Sequence, residues 1–143
     1  MPKTYIVGYD TSAGADRAVE FAVAQAKGTG AAIKIVHVLE WSAYSFLTPQ
    51  ELEERHQRRT EELDRAAAQV NPVVERVRAQ DVECESVIKY GHVADIICDI
   101  AEETGAAQIF VGRTGHSALS SRVFGSVQLS LVQASPVAVT VVP

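Results

Sequence analysis

The chain has 143 residues, 47% hydrophobic and 22% charged, which is the size and composition of one folded domain rather than a disordered polymer. Eighteen Asp and Glu against thirteen Lys and Arg give a formal charge of -5, which argues against nucleic-acid binding or a polybasic membrane contact, because both need a cationic face. No stretch approaches the roughly eighteen apolar residues of a membrane span, the opening residues do not read as a signal peptide, and Cys84 and Cys98 form neither a metal spacing nor a CxxC pair, so a cytoplasmic protein with reduced thiols is expected.

Five β-branched runs alternate with helical patterns. The first run, 5–9, precedes a helix expected over 16–27, with Ala18, Phe21, Ala22 and Ala26 on one face and Gly28 with Gly30 as the stop. The second run, 32–38, is followed by the longest connection, 39–82, which holds a 42–47 loop with two aromatics. Thr48-Pro49-Gln50-Glu51 then has capping-box spacing with Pro at the first helical position. Glu51–Arg55, Glu54–Arg58 and Glu61–Arg65 are Glu-first i,i+4 pairs, the pattern of a solvated helix face, and Asn71-Pro72 predicts a kink or break. The third run, 83–89, alternates and reads as an edge strand. Val93, Ile96, Ile97, Ile100 and Ala101 then mark an amphipathic helix. The fourth run, 108–112, leads to a short helix on Val127, Leu131 and Ala134, stopped by Ser135-Pro136, and the fifth run covers 137–142.

Runs one, two, four and five are apolar on both parities, as strands covered on both faces are. The order βαβαβαβαβ predicts a single α/β domain over 1–143, a doubly wound parallel sheet with helices on both faces. Ligands of such sheets bind beyond the carboxyl ends of the strands, where the strand order reverses.

Three segments occupy those ends. Asp10-Thr11-Ser12 offers a carboxylate and two hydroxyls that suit sugar hydroxyls or a metal ion, and equally suit a helix cap. Val38-Leu39-Glu40-Trp41 is an apolar strand end that reads either as core or as a wall for a flat ring. The third segment, Gly112-Arg113-Thr114-Gly115 followed after nine residues by Gly125-Ser126-Val127, carries the most information. Glycines at a turn admit positive φ and close ligand approach, and a helix start offers free N–H groups to an anion. Neither a Walker loop nor a GxGxxG turn is present, and Arg113, His116 and Arg122 are the basic groups of the segment. An enzyme on this scaffold would have His116 and Asp10 as its candidate catalytic groups. No base–nucleophile pair or Lys–Mg²⁺ arrangement of the kind phosphoryl transfer uses is evident, so at most slow turnover is expected.

The pattern Gly112-x2-Gly115-x9-Gly125-Ser126, between Ile109-Phe110-Val111 and Pro136-Val137-Ala138-Val139, resembles the C-terminal signature of the universal stress protein family. The opening Ile6 to Ser12, Val36-His37-Val38 and Val87 to Gly91 resemble that family's first three strands, so the likeness spans the chain. It implies a five-stranded sheet of order 3-2-1-4-5 and a homodimer. It also implies a nucleotide site with adenine near Asp10 and Val38, and with ribose and phosphates held by Gly112, Thr114, Gly115, Gly125, Ser126 and Val127. Thr11 and Val111 belong to the same expected site. ATP is the first-choice ligand, with ADP, AMP or cyclic AMP as alternatives and Mg²⁺ or Mn²⁺ as a companion ion. The family often has Asp where this chain has Ala107, and within the nine-residue spacer a small residue then Lys or Arg, where this chain has Ala118-Leu119-Ser120-Ser121-Arg122. The last run opens on Val137 and closes on Val142; as a flat, uncharged edge, it is expected to pair with a second copy.

Overall fold

The computed structural model describes residues 3–40, 48–114 and 125–143. In chain order they form β1 (Thr4–Gly8), α1 (Ala13–Thr29), β2 (Ala32–Leu39), α2 (Pro49–Arg78), β3 (Cys84–Tyr90), α3 (Val93–Thr104), β4 (Gln108–Gly112), α4 (Ser126–Ala134) and β5 (Ala138–Val142). The strands make one sheet of order β3-β2-β1-β4-β5, with every pairing parallel. The alternating run is an edge, as expected, and β1 lies at the centre.

Both faces of the sheet are covered, which explains why the inner strands are apolar on both parities. One face carries Tyr5, Val7, Ile33, Ile35 and Phe110 against α1 and α2. The other carries Ile6, Val36, Ile109 and Val111 against Ile97, Ile100 and Ala101 of α3 and Leu131 of α4. Among the described residues no buried side-chain nitrogen or oxygen lacks a partner.

Three local expectations about α1 need correction. Helix α1 begins three residues before Asp16, because the Ser12 hydroxyl accepts the Ala15 N–H at 3.1 Å and caps a start at Ala13. Gly28 lies inside that helix, and Gly30 alone, at φ 71°, ends it. Phe21 does not share the buried stripe of Ala18, Ala22 and Ala26: it stays 42% exposed, its ring 6.0 Å from that of Phe110. The alanines bring α1 close to the sheet, and the larger ring is left at the margin of that contact.

Helix α2 runs unbroken through Pro72. The ring removes the bond to the carbonyl of Ala68, but both residues are on the exposed side, where water can serve that carbonyl. The buried face, Ala66, Val70, Val73, Val74 and Val77, occupies only the second half of the 30 residues. The charged first half meets the end of β3, where the Tyr90 hydroxyl donates to Glu62 Oε2 at 2.5 Å and the Arg59 guanidinium lies 4.8 Å above the ring.

Burial lifts the Cys84 thiol to about 11. Burial, and then the bond its hydroxyl donates to Asp16 Oδ1 at 2.7 Å, lifts Tyr9 to about 12. Both groups keep their protons longer when folded, so the unfolded chain deprotonates first and stability falls as pH rises above the usual thiol value of 9.0. The urea midpoint is expected to hold steady from about pH 6 to 8 and to drop above about pH 9, less steeply in Cys84→Ala. A midpoint unchanged at pH 10.5 would show that these groups are not held neutral.

Candidate functional site

At the carboxyl edge of the sheet the ends of β1, β2 and β4 meet the starts of α1, α3 and α4. The turn after β1 is built by its own side chains. Asp10 Oδ1 accepts the Ser12 N–H at 3.0 Å and the Ser12 hydroxyl, and Ser12 in turn caps α1. Between them Thr11 is held at φ 69°, an uncommon conformation for a β-branched residue. Two bonds fasten the approach to this turn to β2: the Tyr9 N–H donates to the Val36 carbonyl at 2.9 Å, and His37 Nδ1–H donates to the Tyr9 carbonyl at 2.6 Å. A carbonyl can only accept, so the His37 proton sits on Nδ1. The even choice between cap and ligand group therefore resolves in part. One oxygen of Asp10 builds the cap, and the exposed carboxylate still faces the cleft.

The glycines act differently from the expectation. Neither Gly112 nor Gly125 has positive φ; Gly125 is at φ -65° and ψ 153°. A Cβ on Gly112 would lie 2.6 Å from the carbonyl carbon and oxygen of Gly14, and a Cβ on Gly14 would overlap the carbonyl oxygen of Thr114. Gly112 thus lets the start of α1 interlock, backbone to backbone, with the turn after β4. Gly125 is the N-cap of α4, and among the described residues no side chain caps that start.

These ends enclose a cavity of about 220 Å³. Asp10, Val38, Val111, Gly112, Thr114, Gly125, Ser126 and Val127, all expected from the sequence, line it together. Thr11 shapes the turn without lining the cavity, and Gly115, His116, Arg122 and the 42–47 loop lie outside the described residues. The sequence reading offered Ser12 as ligand group or cap, and it missed Gly8, Tyr9, Ala15, Val36, Val93, Ile97 and Gln128. Gly8 carried a signal, since a glycine within an apolar strand marks close approach. A Cβ there would lie 2.9 Å from Ile97 Cδ1 and 3.0 Å from Val111 Cγ1, which form the cavity floor.

The cavity has two chemical halves. Val36, Val38, Val93, Ile97 and Val111 form an apolar wall that suits a flat ring. Asp10, Thr114, Ser126 and the start of α4 line the same cavity and suit hydroxyls and an anion. Among the described lining residues Asp10 is the one charged side chain. Among the described residues no three His, Cys, Asp or Glu gather as a metal site. A larger hollow, about 450 Å³, lies at the opposite edge of the sheet. Its polar groups serve one another: Lys34 Nζ meets Glu85 at 2.9 Å and Arg78 Nε donates to the Cys84 carbonyl at 2.9 Å.

Fold and cleft define a doubly wound α/β protein with a cavity at the carboxyl edge of its sheet, where such folds place their ligands. The family model for the universal stress proteins matches residues 1–143, and the chain belongs to that family. The universal stress protein UspA from Lactobacillus plantarum is 25% identical at a TM-score of 0.86, over 99% of this chain and 97% of that one. A universal stress protein solved in complex with cAMP is 24% identical at TM-score 0.69, covering 99% and 96%. One from Archaeoglobus fulgidus in complex with dAMP is 22% identical at TM-score 0.70, covering 99% and 98%. No curated protein sequence matches the chain significantly. No described helix is long and apolar enough to cross a membrane.

Proposed function

We infer that this protein binds an adenine nucleotide and acts as a binding module in stress response or signalling. The observation that carries the reading is one cavity lined both by the start of α4 at Gly125, Ser126 and Val127 and by the apolar wall that includes Val38. Adenine would lie on that wall near Asp10, with ribose and phosphates toward Gly112, Thr114, Ser126 and Val127, and Gly115 completing the set. The sequence resemblance favours ATP, whereas the two nucleotide-bound relatives named above hold monophosphates. The companion ion, if ATP is the ligand, would ride on its phosphates. Binding rather than fast chemistry is the reading, and ATP turnover on the seconds scale would overturn it.

Calorimetry with ATP, ADP, AMP and cyclic AMP tests the site. At least one is expected to bind more tightly than about 1 mM, which corresponds to roughly -4 kcal/mol. Ser126→Asp is expected to weaken that ligand about tenfold or more, since a carboxylate in the first turn takes the anion's place, while stabilising α4 by about 0.5 kcal/mol. Affinity and stability moving in opposite directions separates loss of the site from misfolding. No binding by the wild type, or equal binding by Ser126→Asp, would overturn the reading.

We also read the assembly as a homodimer through β5, in a reducing cytoplasm that suits the two free thiols. The Val142 carbonyl accepts from Arg113 N–H on the β4 side at 2.8 Å, so by strand alternation Val139 and Val141 turn their main-chain groups outward. Their half-buried side chains pack against the second core, so a charge there would destabilise the chain as well as part the subunits. Val141→Pro removes one outward donor and is expected to sediment as a monomer with native circular dichroism. A folded dimer of this variant would exclude pairing through β5.

A further inference from the structure

Gln128, which the sequence reading passed over, lies between the two glycine ends of the cleft. It is the third residue of α4, and its Nε2 donates to the carbonyl of Gly112 at 2.8 Å, sixteen positions back. Its Oε1 rests against Gly125, in the place that a Cβ on that residue would take. The missing side chain of Gly125 therefore makes room for the Gln128 amide. One carboxamide touches both rims of the cradle and lines the cavity.

We propose that Gln128 is a specificity-determining residue that biases the site toward nucleotides with a single phosphate. The proposal rests on the nucleotide reading above and deepens it. The amide nitrogen carries two hydrogens: one is engaged by Gly112, and the second can serve one phosphate group held at the start of α4. Oε1 is an acceptor and offers nothing to an anion. A longer phosphate chain running between Gly112 and Gly125 must displace the carboxamide and break its bond to the Gly112 carbonyl. A single phosphate leaves that bond in place, so the same latch that orders the two rims sets a cost on each longer ligand.

The test is the ratio of ATP to AMP affinity, measured by calorimetry on the wild type, Gln128→Ala and Gln128→Asn. Ala removes the latch, and Asn keeps an amide but withdraws it by one methylene. In both variants the ATP-to-AMP affinity ratio is expected to rise about three- to tenfold, the factor that one neutral hydrogen bond represents. A merely structural role would shift both nucleotides by one factor and leave the ratio fixed, which would overturn the proposal. An unchanged affinity for both would overturn it as well. Should the wild type bind no adenine nucleotide, the site reading itself fails, and this outcome is visible before any variant is compared.

Discussion

Gly112→Val is expected to cost the fold about 3 kcal/mol or more and to remove nucleotide binding with it. The cause is the 2.6 Å separation between a Cβ at this position and the Gly14 carbonyl carbon and oxygen. The far end of a flexible side chain could swing away, but here the obstacle is backbone at the start of a capped helix. Relief requires α1 to move off β4, which shifts the Ser12 cap, the Asp10 turn and Thr114 together. Urea denaturation and nucleotide calorimetry on Gly112→Val and Gly112→Ala measure the two consequences, with Ala expected to lose less stability than Val. Wild-type midpoints in both variants would show that the α1–β4 approach is looser than described.

Phe110→Ala is expected to lose about 3–5 kcal/mol, the range for a large aromatic removed from a core. Phe110 is 0% exposed and packs edge-on against Tyr5 at 5.2 Å between ring centroids. It points into the layer under α1 and α2, whereas the cavity wall belongs to the opposite layer under α3 and α4. The folded fraction of the variant should therefore bind nucleotide within about threefold of wild type, since the affected contacts lie on the other face. The pair of variants, two positions apart on one strand, tells stability from site formation. A loss below about 1 kcal/mol, or a parallel loss of binding in the folded fraction, would contradict this division of the two faces.

Most of the architecture was legible because burial on both faces leaves a direct mark on composition. Val7 and Ile6, or Ile35 and Val36, occupy opposite faces of the sheet and are all buried, so their runs could not be read as amphipathic strands. The 84–90 strand alternates because it is an edge. The site was legible at its polar and glycine positions, where turn and cap chemistry restricts residue type, and less so along its wall. Val93 and Ile97 read as ordinary apolar positions of an amphipathic helix. Nothing in their spacing distinguishes a side chain facing a cavity from one facing the core.

The physical meaning of the glycines was the least legible part. A glycine in a turn invites the reading of positive φ or ligand access, and the sequence supplies no means of choosing between these and close packing. Only the approach of α1 shows that Gly112 serves Gly14, and only the placement of Gln128 shows what fills the space beside Gly125. The same holds for Pro72, whose cost depends on whether the freed carbonyl faces water.

By itself the sequence determined the order of elements, the parallel sheet with both faces covered, the edge position of the third strand and the segments that end at its carboxyl side. Each follows from local chemistry and from the period of burial, which a linear chain records. The tertiary structure alone decided which groups share the cleft. Residues 8, 38, 93, 112 and 126 come from five separate elements, and parallel pairing brings their ends to one edge. It alone also decided that the Gln128 carboxamide, resting against Gly125, reaches the Gly112 carbonyl sixteen positions back through a single 2.8 Å bond. Such distances arise from packing between elements, which residue spacing along the chain does not encode.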